Sequence, residues 1–147
     1  MESEVVVERK NQGLETLAVW QKAVDYAVDV CQNVIPHFPP EEKWALASQL
    51  RRSVQSIPAN VAEGYGRYNF QETIHFCYIA RGSMAETKTH LVIAYRMGYI
   101  DESIYQKYLE QLIELGKMTH GYITHLRNQK ANGSIREKTS VEETYEL

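Results

Sequence analysis

The sequence predicts an all-α protein, an up-down antiparallel four-helix bundle. Apolar residues recur every three or four positions in four segments, the spacing that places them on one face of an amphipathic helix. Short segments that contain proline or glycine separate the four, and none alternates apolar and polar residues as a half-buried strand does. A chain of 147 residues is also long enough to bury a sizeable core in one domain.

The first two predicted helices cover residues 14–35 and 41–63. Residues 36–40 separate them, because the three prolines of this segment prevent continuous helical hydrogen bonding. Gly64 is predicted to cap the second helix, and Pro58 is predicted to bend that helix.

The third predicted helix begins at Asn69 and ends at Gly98. Glu72 follows Asn69 at the spacing of a capping box, in which each of the two residues satisfies a free N–H of the first turn. A fourth helix is predicted to follow, with Asp101 or Ser103 as its cap.

These patterns divide the chain into three parts. Residues 1–13 form an acidic N-terminal extension, residues 14–128 the bundle, and residues 129–147 a polar, flexible tail in which the apolar period is lost. Neither a secretory signal nor a membrane-spanning segment is found, so we expect a cytoplasmic protein with no membrane partner.

The third helix is apolar on two faces about 100° apart. A second apolar face predicts either self-association or an unusually central helix. Self-association closed by cyclic symmetry would form a ring and bury surface that one bundle cannot cover. The two faces hold Phe70, Ile74, Cys77, Met84, Leu91 and Tyr95 on one side, and Phe76, Ala80, Ser83, Thr87 and Ala94 on the other.

Basic residues are concentrated between Arg51 and Arg96, although the whole chain has a net charge of -3. This segment holds six basic residues and three acidic ones. A local positive excess is typical of a surface that contacts phosphates, and neighbouring aromatic rings can stack on bases. The candidate nucleic-acid-binding residues are Arg51, Arg52, Arg67, Arg81, Lys88, Tyr65 and Tyr68.

Two of these assignments have alternatives. The turn that holds Tyr65, Arg67 and Tyr68 would otherwise pack onto the bundle. Arg81 and Lys88 align with apolar residues of the third helix, so they either extend past the edge of the core or line a cavity or an interface.

A polar row follows one side of the second helix and predicts a hydrogen-bonded structural seam. Together with a glutamate of the third helix it consists of Gln49, Arg52, Ser56, Asn60, Glu63 and Glu86. Glu63 and Glu86 are expected to accept hydrogen bonds from arginines or backbone groups and so to hold the second and third helices in register.

No enzyme chemistry is predicted. The sequence lacks a recognisable nucleophile–base pair, and its five histidines do not occur at metal-ligand spacing, so we expect no catalytic residue, metal or other cofactor. Cys31 and Cys77 lie among apolar residues and are expected to be reduced core thiols.

The chain resembles the four-helix bundle proteins of the large-subunit ribosomal RNA intervening-sequence type, which are related to the accessory variability proteins of diversity-generating retroelements. The resemblance spans residues 14–127. The matching motifs are Leu17-Ala18-Val19-Trp20-Gln21-Lys22-Ala23, Phe38-Pro39-Pro40-Glu41-Glu42, Leu46-Ala47-Ser48-Gln49-Leu50-Arg51-Arg52-Ser53, Ser56-Ile57-Pro58-Ala59-Asn60-Val61-Ala62-Glu63-Gly64, Ile79-Ala80-Arg81-Gly82-Ser83, Glu86 and Met97-Gly98-Tyr99-Ile100.

The resemblance implies a bundle that assembles as a ring of five subunits, without an established enzymatic activity. It also implies nucleic-acid binding, since the retroelement relatives use a basic ring surface to engage nucleic acid and a reverse transcriptase. We therefore expect a non-enzymatic homopentameric scaffold that binds RNA, DNA or a nucleic-acid-processing protein. The alternatives are a purely structural oligomer or protein-partner adaptor, and a bundle enzyme that binds a ligand or a metal.

Overall fold

The computed structural model describes residues 13–132, and within this range the chain is all-α, as predicted, with no β-strand. Two short 3-10 turns, Ile35–His37 and Pro40–Glu42, connect the first two long helices. The long helices are α1 (Ala18–Asn33), α2 (Leu46–Tyr65), α3 (Phe70–Arg96) and α4 (Glu102–Asn132). The predicted N-terminal extension, except for Gly13, lies outside the described residues.

The first two helices begin later than the sequence predicts. Leu17 has extended backbone angles, so α1 starts at the next residue rather than at Leu14. The prolines before Glu41 begin a 3-10 turn, and α2 starts only at Leu46. The carboxylate of Glu42 satisfies the first N–H of this helix, because it accepts a hydrogen bond of 2.9 Å from the Leu46 N–H.

Gly64 has a different role from the predicted cap. It lies within α2, which continues through Pro58 and ends at Tyr65, with Gly66 as its C-terminal cap. A Cβ atom on Gly64 would lie 2.8 Å from Cβ of Phe76 and 3.0 Å from the carbonyl oxygen of Thr73, so the absence of a side chain lets α2 approach α3 closely.

The predicted caps of the last two helices are well placed. The side chain of Asn69 accepts a hydrogen bond of 2.7 Å from the Glu72 N–H, and Asp101 rather than Ser103 caps α4 by accepting one of 2.8 Å from Ile104 N–H. α4 continues past residue 128 into the predicted tail, and residues 133–147 of that tail lie outside the described part.

Helix α3 packs against α2 on one side and α4 on the other, while α1 packs against α2 and α4. Both apolar faces of α3 are therefore largely covered within a single chain. Ala80 and Thr87 are fully buried on one face, and Cys77 and Leu91 are almost fully buried on the other. This corresponds to the central-helix alternative, so the two faces by themselves give no reason to expect an oligomer.

Side-chain contacts fix the directions of neighbouring helices. The hydroxyl of Tyr108 on α4 donates a hydrogen bond of 2.6 Å to Asp29 on α1, and Lys22 forms a 3.2 Å ion pair with Glu114. Because the contact partners run in opposite order along the two helices, α1 and α4 are antiparallel.

No helix within residues 13–132 has the length and apolar character needed to cross a membrane.

Candidate nucleic-acid interface

Arg81 and Lys88 line an open groove between α3 and α4, with a cavity volume of about 400 Å³. The two cations are seven residues apart on α3, which places them about 10 Å apart along the helix. The remaining lining residues are mostly apolar: Met84, Ala85, Leu109, Leu112, Ile113 and Gly116. Both cations are exposed at this open groove, so they extend past the edge of the core and also line the groove.

Neither cation of the groove is neutralised within residues 13–132, where no carboxylate oxygen lies within 4 Å of the charged nitrogens of Arg81 or Lys88. The guanidinium of Arg81 instead lies over the ring of Tyr78, with 5.6 Å between its central carbon and the ring centroid. Both charges remain available to an anion from solution.

Tyr78 is 41% exposed and contacts a second arginine. The guanidinium carbon of Arg127 on α4 is 5.8 Å from the ring centroid of Tyr78, and an N–H of Arg127 donates a hydrogen bond to the Tyr78 hydroxyl. One helical turn further along α4, the ammonium of Lys130 is 3.5 Å from the amide oxygen of Gln71.

These contacts bring cations of α3 and α4 together around Tyr78, beside the groove. We call this surface the basic strip and define it as Tyr78, Arg81, Lys88, Arg127 and Lys130. Guanidinium groups over an exposed aromatic ring are typical of sites that combine phosphate binding with base stacking.

The distribution of charged residues along the sequence is consistent with a basic surface at the basic strip. Residues 13–132 hold twelve basic and twelve acidic residues, so the net charge of -3 arises entirely from residues 1–12 and 133–147. Within α4, residues 115–132 contain Lys117, Arg127 and Lys130 and no acidic residue.

Three residues of the basic strip were missed by sequence reasoning: Tyr78, Arg127 and Lys130. The predicted basic segment ended at Arg96, so it did not include α4. The sequence does contain a feature that points to the cations of α4, because no acidic residue occurs between Glu114 and Glu137.

The predicted cluster in the turn between α2 and α3 is partly engaged inside the chain. Arg67 forms a 2.7 Å ion pair with Glu63, and its guanidinium lies 5.0 Å from the ring centroid of Phe76. The backbone of Gly13 lies against the hydroxyl of Tyr65, while Tyr68 is 74% exposed. The turn thus packs on α3 through its cation, as the alternative expected.

The remaining candidate cations, Arg51 and Arg52, are exposed on α2. Ser53 contacts α3, since its Oγ lies 3.0 Å from Oγ1 of Thr87. Arg51 lies about 200° around α2 from Ser53 and therefore points away from α3. Arg51 is therefore separated from the groove that Arg81 and Lys88 line, and the turn that holds Arg67 is a further, separate place.

The polar seam is divided between buried and exposed residues. Oγ of Ser56 lies 2.5 Å from Oγ of Ser83, and the amide of Asn60 donates a 2.8 Å hydrogen bond to the Ser56 carbonyl. Gln49 and Arg52 are exposed. The inner hydroxyl contacts therefore join α2 to α3.

The two glutamates of the seam do not bridge these helices within one chain, contrary to expectation. Glu63 pairs with Arg67, and a carboxylate oxygen of Glu86 lies 3.6 Å from Nε2 of His90 on the same helix. Both carboxylates are exposed, and the side-chain contacts that cross from α2 to α3 are instead the hydroxyl pairs Ser56–Ser83 and Ser53–Thr87.

Other reactive groups in the described part do not assemble into a site. No three His, Cys, Asp or Glu side chains within residues 13–132 lie close enough together to hold a metal ion. Cys31 is half-buried, Cys77 is buried, and both are free thiols. Burial raises the pKa of Cys77 from 9.0 to about 11, so this thiol is a poor nucleophile.

Known proteins share this arrangement of helices. The model of the 23S rRNA-intervening sequence protein family matches residues 15–121. The chain belongs to this family. The resemblance seen in the sequence to intervening-sequence proteins is thereby confirmed.

A solved structure is similar to this 23S rRNA-intervening sequence family member. It is the crystal structure of a protein with unknown function from the S23 ribosomal protein family of Bacteroides thetaiotaomicron, with a TM-score of 0.66 and 26% sequence identity. The alignment covers 72% of this chain and 98% of that chain. No curated protein matches the chain.

Proposed function

We propose that the protein is a non-enzymatic, homo-oligomeric scaffold that binds nucleic acid, alone or within a ribonucleoprotein, through the basic strip. The observation that supports this function is the partly exposed ring of Tyr78 in contact with both Arg81 and Arg127, two arginines without carboxylate partners in residues 13–132. We place this activity in the cytoplasm.

Physical chemistry favours a polyanion as the partner. Arginine and lysine side chains that contact phosphates release counterions, and this release contributes much of the affinity for nucleic acid. An exposed aromatic ring adds stacking, which tolerates any base because every base has a π-face. A protein partner with isolated surface carboxylates would use the charges but not the ring.

The scaffold part of the proposal concerns an up-down antiparallel four-helix bundle assembled as a ring of five. The contacts of each long helix with its two neighbours support the bundle. The ring rests on the family resemblance and on exposed apolar side chains, among them Trp44 at 83% exposure and Met97 at 59%. Five copies of the basic strip in one ring would reinforce one another electrostatically.

Titration of a fluorescently labelled structured RNA with single-stranded segments, at several salt concentrations, tests nucleic-acid binding. We expect binding at low salt that weakens steeply as salt rises, since the contacts are with phosphates. Absence of binding to this RNA, and to DNA of the same sequence, at low salt would contradict the nucleic-acid part of the proposal.

Multi-angle light scattering of the purified chain tests the assembly. We expect the mass of a pentamer at micromolar concentration. A monomer would contradict the ring, whereas a dimer or tetramer would retain self-association and contradict the number of subunits.

The exposure of Trp44 favours a second candidate, an adaptor that binds a protein partner. Trp44 lies in the connection before α2, with the ammonium of Lys43 5.0 Å from its ring centroid, and most of its surface is free of contacts within residues 13–132. A pull-down with and without nuclease separates the candidates, because only a direct protein partner would remain after digestion.

A further inference from the structure

The apolar floor of the groove is not explained by phosphate binding. Met84, Leu109, Leu112 and Ile113 line the same cavity as Arg81 and Lys88. Phosphate oxygens gain nothing from contact with these side chains, and Ile113 remains 49% exposed in the isolated chain. The ligand that suits this cavity has an anionic part and a flat or apolar part close together.

We infer that the ligand of the basic strip is single-stranded nucleic acid, with one unpaired base held in the groove. This inference rests on the proposed function and names its substrate class. The phosphates that flank the base contact Arg81 and Lys88 at the groove, and the strand continues past Tyr78 toward Arg127 and Lys130.

A double helix cannot use this combination of surfaces. In a duplex the faces of the bases are stacked on one another, so the apolar floor would meet only sugars and phosphates. In a single strand the bases can turn out and pack against apolar, aromatic or guanidinium surfaces. The groove volume of about 400 Å³ lies within the ordinary range of small-ligand pockets, which leaves room for one base.

Gly116 offers a way to close the groove without disturbing the fold. It lines the groove on α4, and apart from its chain neighbours and the nearby backbone of its own helix no atom lies within 4 Å of a Cβ atom built on it. Gly116→Leu therefore places a side chain in the cavity and also raises helix propensity. Gly121→Leu is the matched control, because Gly121 lies on the same helix, has equally open space and does not line the groove.

The experiment measures fluorescence anisotropy of a labelled RNA of about 12 nucleotides, within the site sizes of single-strand binders, alone and annealed to its complement. We expect the wild-type protein to bind the single strand at least about fivefold more tightly than the duplex. Gly116→Leu should weaken single-strand binding about five- to tenfold with an unchanged salt dependence, since the phosphate contacts remain. Gly121→Leu should bind like wild type.

The experiment distinguishes failure of the single-strand inference from failure of the proposed function. Equal or tighter binding of the duplex, or equal affinity of Gly116→Leu and Gly121→Leu for the single strand, would overturn the inference and leave nucleic-acid binding intact. A wild-type protein that binds neither RNA at low salt would overturn both the inference and the nucleic-acid part of the proposed function. Circular dichroism confirms that the variants are folded.

Discussion

Arg127 on α4 donates a hydrogen bond to the hydroxyl of Tyr78 on α3, although the two residues are 49 positions apart in the sequence. This contact brings the acid-free second half of α4 to a helix that already carries Arg81 and Lys88. The basic strip is therefore created by packing of two helices. Neither helix alone carries enough cations on one side to form it.

Gly64→Ala should destabilise the fold. The new methyl group would lie 2.8 Å from Cβ of Phe76 and 3.0 Å from the backbone of Thr73, so α2 and α3 would have to move apart. We expect a loss of about 1–3 kcal/mol in the free energy of unfolding, measured by urea denaturation. Gly121→Ala has free space and should be neutral or more stable by up to about 1 kcal/mol. Equal stabilities of the two variants would contradict the close approach at Gly64.

Stability should fall at alkaline pH partly through Tyr108. Burial, and then the hydrogen bond to Asp29 and the charge of that carboxylate, raise the pKa of Tyr108 above its ordinary value of 10.0. The folded protein therefore holds this proton more tightly than the unfolded chain, and the resulting stability is present below pH 10 and lost as pH rises above it.

Tyr108→Phe provides the test of this alkaline effect. The variant should lose about 1 kcal/mol of unfolding free energy at pH 8, because its hydrogen bond to Asp29 is gone. Its stability should then decline less steeply than that of wild type above pH 10, as measured by urea denaturation. Parallel curves for both proteins would show that Tyr108 does not titrate differently in the folded state.

The thiol of Cys77 should react slowly in the native protein. It is 1% exposed, and its pKa is raised from 9.0 to about 11, which lowers the thiolate fraction at pH 8 about a hundredfold. In a Cys31→Ser variant, the absorbance change with a disulfide reagent isolates this residue. We expect slow modification in buffer and rapid modification in denaturant, whereas equal rates would contradict its burial.

Removal of either seam carboxylate should have little effect on a single folded chain. Glu63 is exposed and pairs with Arg67 four positions away, while Glu86 is exposed and its carboxylate lies 3.6 Å from Nε2 of His90, beyond hydrogen-bond distance. An exposed pair such as Glu63–Arg67 contributes about 0.3–0.5 kcal/mol, so the melting temperatures of Glu63→Ala and Glu86→Ala should nearly equal that of wild type. A loss above about 1 kcal/mol in either variant would indicate a contact beyond those within one chain.

Much of the local structure could be predicted because it depends on neighbouring residues. Asn69 and Asp101 cap their helices through side chains that reach N–H groups three residues away, and apolar periodicity together with proline and glycine breakers separated the four helices. Helix starts were less accurate near Leu17 and Pro40, where extended and 3-10 conformations compete with the α-helix.

The candidate site was only partly predictable because it depends on which helix faces meet. Arg81 and Lys88 were identified from their alignment with apolar residues, but periodicity does not show that Arg127 lies beside Tyr78. Glu63 does accept a hydrogen bond from an arginine, Arg67, but neither Glu63 nor Glu86 bridges α2 and α3 within the chain, for a related reason. A polar stripe on a helical wheel does not reveal whether its members lie inside the contact, as Ser56 does, or at its solvent edge.

The central claim, that the basic strip is the phosphate-binding surface, is tested most directly by the salt dependence of single-stranded RNA binding. The double variant Arg81→Gln/Arg127→Gln removes two cations from the strip, and Arg51→Gln/Arg52→Gln removes two exposed cations from α2. The account predicts that the slope of log affinity against log salt becomes shallower by about 1.4 in the first variant, since each phosphate contact on a single strand contributes about 0.7. It also predicts a wild-type slope for the second. An unchanged slope in the first variant, with a loss in the second, would contradict the account and place the phosphate contacts on α2.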